Sequence, residues 1–499
     1  MQRLSKQQYK YVSLFAGIVI ALFFYFVNPF SVETNACIVL SIAVLMITWW
    51  VTEAMPMPVV ALLPLILFPI LHISDIKSVS ANYTDPVIFL FMGGFMLGLA
   101  IEKWNLHRRI ALGIVKITGT SGNRIILGFI LATGFISMWI SNTATTMMMF
   151  PIALSVIHVI KEGGGVGDHR HFNLSLMLSI AYASNFGGIG TIIGTPPNVA
   201  FVGYFEKTYK TNIEFVDWMV LCVPIALLLM ITLYFVLTRI LFPNHIRSND
   251  AAKKFIYGEY NSLGRISVPE IRVLIIFSAT ALLWIFKDLL NQSQDLVKLD
   301  DNIIALIGAV ALFIFPSGNS KHPDNLNETD EHDSHGSLLE WGDTKKMAWG
   351  ILLLFGGGLA LASSLEKTGL IKNLGDWLSQ FAGGGFTLLL MVTIISLFIS
   401  EVMSNIAQVI VFSPVVCSLA DSVGMNPLVL GIAMTLAASC ASMMPMGTPP
   451  NAIVFASGHI KIKEMMKAGF VINLVAIVLI TLFCWFLLNE TAIIVPAPH

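Results

Sequence analysis

Long apolar runs separated by short polar punctuation dominate the chain, and their lengths predict membrane helices rather than a water-filled surround with one compact core. Runs of spanning length lie near residues 12–29, 35–52, 56–73, 86–102, 217–242, 270–288, 302–316, 348–365 and 467–489, each bounded by Asn, Pro, Gly or charge. Four places break the pattern. Ser141-Asn142-Thr143-Ala144-Thr145 sets small polar side chains inside an apolar stretch, and Gly194-Thr195-Pro196-Pro197-Asn198 follows it. Both return in the second half, in the same order, as Ser404-Asn405-Ile406-Ala407-Gln408 and Gly447-Thr448-Pro449-Pro450-Asn451. The apolar arms 125–160 and 385–420 fold around the Ser-Asn breaks and are expected to enter and leave on one side as re-entrant hairpins. Helices around 173–208 and 429–456 are expected to split at the two prolines, which remove donors and forbid a continuous helix.

The repeat extends beyond the breaks. Phe91-Met92-Gly93-Gly94 and the following Glu102-Lys103 align at one offset with Phe355-Gly356-Gly357-Gly358 and Glu366-Lys367. Ser137 aligns with Ser400, about one helical turn before each Ser-Asn break. After each Glu-Lys comes an amphipathic stretch, clearest in Leu370, Leu374, Trp377, Leu378 and Phe381, whose spacing puts one apolar face along a helix suited to lying flat at the membrane surface. If the N-terminus is cytoplasmic and the hairpins do not cross, about 22 of the 29 Lys and Arg fall inside, as the positive-inside rule requires. The largest inside clusters are then Lys103–Arg124, Arg239–Arg272 and Lys461–Lys467. About eleven crossings place the C-terminal Val495–His499 outside, and the second half is inserted upside down relative to the first. The basic N-terminus and the long apolar run from Val12, with no small-x-small cleavage site after it, predict an uncleaved first span.

Composition agrees with this picture: of 499 residues, 56% are hydrophobic and only 12% charged, a combination that defines a polytopic membrane protein. A net charge of −1 and the absence of a basic patch argue against a nucleic-acid partner. Cys37, Cys222, Cys417, Cys440 and Cys484 all lie in apolar segments without metal-ligand spacing and are expected to be buried packing residues. The segment Asn319–Lys346 carries His322, Asp324, Glu328, Asp330, Glu331, His332, Asp333 and His335 without regular ligand spacing, which predicts a solvated linker between the halves. Gly163–His171 reads as a flexible loop. No phosphate-binding, metalloprotease or nucleophile-elbow motif occurs, so a membrane enzyme is the distant alternative.

A broken helix at membrane depth leaves backbone groups without partners, each costing several kcal/mol in hydrocarbon, so it persists where it lines a cavity or holds a ligand. Small polar residues in membrane helices also commonly bond neighbouring helices, but four breaks in repeat-related positions describe one binding site. Exposed helix N-termini suit an anion's carboxylates, and exposed carbonyls with Ser, Thr and Asn oxygens suit a hard monovalent cation such as sodium. No Lys, Arg or His occurs across 385–456, and only His158 lies between Arg124 and Lys161. An anion would therefore be held by amides, hydroxyls, helix ends and co-bound cations. Moving a dianion inward against ~150 mV costs about 7 kcal/mol, which two co-transported sodium ions cancel. Glu53 and Glu401 are intramembrane acids. Glu401 invites a proton-coupling reading, but its first-half counterpart is Met138, so a symmetric carboxylate site is absent.

On these residues the chain resembles the divalent anion/sodium symporter family, the INDY-type di- and tricarboxylate transporters, along nearly its whole length. The resemblance implies an all-α polytopic fold with an inverted repeat, about 11 transmembrane helices, two re-entrant helical hairpins and an elevator mechanism in a homodimer. It implies scaffold in 1–118 and 270–382, the latter including the loop 317–346, transport domain in 119–242 and 383–490, and a cytoplasmic linker in 243–269. Carried over by motif, Ser141, Asn142 and Thr143 resemble ligands of substrate and first sodium, with Ser137, Gly190 and Gly194 completing that ion site. Ser404, Asn405, Ser400 and the break at Gly447 resemble the second ion site, while Thr195, Pro196, Thr448 and Pro449 line the substrate pocket. The expected function is sodium-coupled import of succinate-like C4-dicarboxylates across a plasma (inner) membrane, with no cofactor beyond the coupling ions. Sodium-independent dicarboxylate exchange and carriage of citrate or sulfate are the near alternatives. One departure stands out: the family's second motif is Ser-Asn-Thr, whereas this chain has Ile406 in place of Thr and Gln408 where the first half has Thr145.

Overall fold

The computed structural model describes residues 6–162, 168–246, 250–293, 298–318, 336–380 and 383–488. Phe381, the histidines and acids of 319–335, Gly163–Gly167, Leu326 and the C-terminal Val495–His499 lie outside the described residues. Among the described residues every regular element is helical, apart from an isolated bridge between Pro316 and Ser337. Nine helices among the described residues are long and apolar enough to cross a membrane. Two expected spans are shorter than that. Residues 56–73 form a bent pair, Met57–Val60 and Leu63–Ile70, and Asp301–Ile314 is a single helix of 14 residues. At 1.5 Å per residue the latter covers roughly 21 Å, against a hydrocarbon thickness of about 30 Å.

The repeat is visible as geometry. After Pro86–Lys103 the chain turns through Asn105 in the left-handed region (φ 56°) into the amphipathic helix Leu106–Thr118. After Trp349–Lys367 it turns through Gly369 (φ 70°) into Leu370–Ser379. Asn and Gly are residues that tolerate this conformation, so both arms begin on a permitted kink. Phe91 and Phe355, equivalent residues of the two repeats, meet edge to face at 5.4 Å, so the halves pack directly against each other.

A helix-turn-helix pair forms at each Ser-Asn break. Gly122–Ser137 turns into Asn142–Glu162, and Gly385–Ser400 into Asn405–Ser422. The broken helices differ in one respect. The breaks open before the prolines: His169–Gly188 is followed by an irregular stretch and then Pro196–Tyr209, and Pro427–Ser439 likewise by Pro449–Ala456. In each case the prolines occupy the first two positions of the new helix, where a missing N–H costs nothing, and they restart the helix rather than interrupt it.

The segment 243–269 is more than a connector. It contains the helix Asp250–Ser262, docked on the arm Leu106–Thr118 by an Arg108–Glu259 pair at 2.7 Å and by Lys116 over the rings of Tyr257 and Tyr260. Arg109 grips the buried Glu270 at 3.0 and 3.1 Å and also donates to the Gly264 carbonyl at 3.0 Å. Asp343 pairs with Lys103 at 2.7 Å. All five cysteines are buried and free.

Candidate functional site

The four breaks meet. A single cavity of about 790 Å³ is lined by Ser141, Asn142 and Thr143 of the first hairpin tip and by Ser404, Asn405 and Ile406 of the second. Thr195 and Pro196 from the first break line it too, as do Gly447, Thr448 and Pro449 from the second. Tyr9, Trp50, Met57, Phe95 and Ile351 supply an opposing wall from the helices outside the hairpins. Among the described residues no Lys, Arg or His reaches the cavity surface, and Glu53, in the left-handed region at φ 49°, is the only acid on it.

Helix starts point their free donors at this space. In the first hairpin Ser141 caps the helix through its own side chain, its Oγ accepting from Ala144 N at 3.2 Å, and its carbonyl accepts from Thr145 N at 3.0 Å. The amides of Asn142 and Thr143 have no partner among the described residues. In the second hairpin Ser404 makes no side-chain cap, and the amides of Asn405, Ile406 and Ala407 are unpaired among the described residues. Four of these unpaired N–H groups, those of Asn142, Thr143, Asn405 and Ile406, belong to residues that line the cavity, at two helix N-termini with the chemistry of a receptor for anionic oxygen. The helices from Pro196 and Pro449 contribute differently, because two prolines remove the donors of their first positions and leave the Thr195 and Thr448 hydroxyls as the polar groups there.

Of the residues expected at the ion sites, Ser141, Asn142, Ser404, Asn405 and Gly447 line the cavity, and Ser137, Gly190, Gly194 and Ser400 lie buried behind its wall. Ser137 and Ser400 are fully buried, and each hydroxyl lies 2.6 Å from the side-chain oxygen of its Asn, Asn142 or Asn405. The identical distance in both repeats fixes the Asn oxygen toward the hairpin interior. Ser400 Oγ is also 2.6 Å from the Ala438 carbonyl, and one hydroxyl proton serves one of the two. Oxygens crowd around the first break. A methyl group on Gly194 would meet the Gly188 carbonyl at 2.5 Å, the Met138 carbonyl at 3.0 Å and Thr191 Oγ1 at 3.1 Å, and one on Gly190 the Gly187 carbonyl at 3.2 Å. Neutral oxygens thus pack closely around Gly190 and Gly194, and such oxygens are the donor type that a hard monovalent cation takes.

Three side chains escaped the sequence reading. Asn198 and Asn451 are fully buried clamps: Asn198 Nδ2 reaches the carbonyls of Thr191 and Gly188 at 2.8 and 3.2 Å, and Asn451 Nδ2 those of Met444 and Ala441 at 3.1 and 3.3 Å. Each gathers the carbonyls its own break set free, so the Asn that ends each motif folds the loop before it. Asn185 crosses between the repeats, donating from Nδ2 to Thr448 Oγ1 at 3.1 Å. Asn451 N donates to the same oxygen at 3.4 Å, so the single Thr448 proton is used by neither contact and is left free to donate. Gln408 faces the other way, bonding Ser396 on the hairpin's first arm at 2.7 and 2.8 Å. A second cavity of about 650 Å³, bordered by Asp85, Glu206, Lys207, Lys287, Asp301 and Lys367, touches none of the four motifs.

A helical membrane fold whose broken helices meet in one pseudo-symmetric cavity is the architecture of a transporter. The chain belongs to the family described as the sodium:sulfate symporter transmembrane region, whose pattern it matches over residues 8–490. It is 38% identical over 466 residues to a sodium-dependent dicarboxylate transporter SdcS of Staphylococcus saprophyticus, covering 92% of this chain and 88% of the relative. The SdcS of a Staphylococcus aureus strain is 36% identical over 469 residues, covering 93% and 88%. Among solved structures, the Alcanivorax borkumensis YdaH transporter shares the fold at a TM-score of 0.54 and 15% identity, covering 83% of this chain and 88% of that one.

Proposed function

We propose that this protein is a sodium-coupled carrier of C4-dicarboxylates, and the observation that carries the proposal is the shared cavity with unpaired amides at two facing hairpin tips and no cationic side chain. Two separate groups of donors suit a substrate with an anionic group at each end better than a single tetrahedral anion. The relatives named as sodium-dependent dicarboxylate transporters support the same substrate class. Because the described lining offers the dianion dipoles and hydroxyls but no cation, and Glu53 adds a further acid, co-bound sodium supplies the compensating positive charge.

In this reading Ser141, Asn142, Thr143, Ser404, Asn405, Thr195, Pro196, Thr448 and Pro449 contact the substrate. Ser137, Ser141, Asn142, Gly190 and Gly194 hold one sodium, and Ser400, Ser404, Asn405 and Gly447 hold the second. The hydrogen bond from Ser137 uses one lone pair of the Asn142 oxygen and leaves another for the ion, and the Asn405 oxygen has the same spare capacity beside Ser400. The cavity lies between the proposed transport domain and scaffold residues such as Trp50 and Ile351, where an elevator motion of one domain past the other would expose the substrate. The Lys and Arg distribution supports a cytoplasmic N-terminus, about eleven crossings and an external C-terminus. We extend the family resemblance to a homodimer.

The deciding experiment is counterflow of labelled succinate in proteoliposomes, with and without sodium, against a panel of unlabelled anions. Sodium-dependent uptake competed by fumarate and malate is expected. Equal exchange without sodium would replace symport by dicarboxylate exchange, and stronger competition by sulfate or citrate would reassign the substrate.

A further inference from the structure

The two breaks are closed by different chemistry. In the first, Thr191 Oγ1 donates to the Met138 carbonyl at 2.5 Å and accepts from Gly194 N at 3.0 Å. In the second, the residue equivalent to Met138 is Glu401, only 4% exposed. Its Oε1 accepts from Ser442 N and Met443 N at 2.8 Å each and from Asn473 Nδ2 at 2.6 Å, and its Oε2 accepts from Met444 N at 2.9 Å. Three consecutive backbone amides and one side-chain amide of the helix Ile462–Phe483 thus converge on one carboxylate. A carboxylate accepting four donors is held by dipoles, and no Lys, Arg or His occurs between 385 and 456 to neutralise it. It directly follows Ser400, and a methyl group on Gly447 would meet its Oε2 at 3.2 Å, whereas at Gly194 the equivalent neighbours are neutral oxygens.

We propose that Glu401 makes the two cation sites unequal: it folds the second break around its carboxylate and gives the site at Ser400 and Asn405 a fixed negative charge that the first site lacks. This rests on the sodium-coupled reading above. A unit charge beside a cation in a water-poor interior acts far more strongly than the neutral oxygens it accompanies. The second site is therefore the tighter of the two, and its sodium affinity depends on a residue that is not itself required to touch substrate. Such a positioning residue should alter sodium dependence while leaving the apparent KM for succinate at saturating sodium nearly unchanged.

The test is thermal unfolding of the purified full-length protein across a sodium titration, with choline holding ionic strength constant, for wild type, Glu401→Gln and Asn473→Leu. Wild type should gain thermal stability with sodium. Glu401→Gln should raise the half-saturating sodium concentration at least ~10-fold, the factor that 1.4 kcal/mol represents. Asn473→Leu keeps the charge but removes one of its donors, so its sodium midpoint should fall below that of wild type. A purely structural role for Glu401 would lower the unfolding temperature of the variants without sodium and leave the midpoint where it was, which would overturn the proposal. If Glu401→Gln does not fold, Asn473→Leu decides, and a midpoint equal to or above wild type refutes the idea. A wild type indifferent to sodium removes the coupling reading itself, a failure distinct from any result on the two variants.

Discussion

Adding one methyl group at Gly188 probes the first ion site without substituting any polar residue. A Cβ there would stand 2.5 Å from Asn142 Oδ1 and 3.0 Å from its Nδ2, where ordinary contact begins near 3.4 Å. Gly188 is the last residue of its helix and is buried, so the Asn142 side chain must give way. Moving it breaks the 2.6 Å hydrogen bond from Ser137, a hydroxyl with no exposure to water. Overpacking of this kind costs about 1–3 kcal/mol, and a buried hydroxyl left unmade costs about 1–3 kcal/mol. Because the proposed sodium site uses the Asn142 oxygen in this position, Gly188→Ala should weaken sodium dependence of succinate uptake by roughly one to two orders of magnitude. Sodium titration of uptake in proteoliposomes, with protein content matched, reads the effect. The matched control is Gly258→Ala, where nothing lies within 4 Å of the new carbon. That change in an exposed helix should be neutral or stabilising by about 0.5–1 kcal/mol. Wild-type sodium dependence in Gly188→Ala would refute the geometry proposed for Asn142.

Other substitutions test separate parts of the argument. Asn142→Ala and Asn405→Ala should each abolish transport in protein that remains monodisperse on size exclusion, because Ala replaces neither the donor nor the acceptor of the amide; near-normal uptake by either would remove its hairpin tip from the site. Ile406 lines the cavity opposite Thr143, so Ile406→Thr supplies a hydroxyl worth about 0.5–1.5 kcal/mol and should improve citrate relative to succinate in competitive uptake. An unchanged ratio would mean that this side chain does not face substrate. A cysteine at Gly336 should react with impermeant reagents from the cytoplasmic side alone, and labelling from outside would invert the proposed topology.

Much of the site was legible in the sequence because its signals are local or repeated. Small polar residues within apolar arms, paired prolines and the absence of Lys, Arg and His in 385–456 are properties of neighbours along the chain, and duplication of the motifs said that four separated segments serve one purpose. The kinks at Asn105 and Gly369 follow from the same repeat. What tertiary structure decided are the contacts that cross between segments. Asn185 meets Thr448 from the other repeat, Glu401 gathers amides from 442–444 together with Asn473, and the helix Asp250–Ser262 docks on an arm more than a hundred residues earlier. Glu401 shows the reason. Read alone, a carboxylate one turn from Asn405 invites a proton, whereas folding surrounds it with donors whose positions depend on where the chain breaks. Periodicity and residue type encode which face of a helix avoids lipid. They do not encode which partner a buried polar atom meets, because that depends on how distant elements pack and on the requirement that buried donors and acceptors find one another.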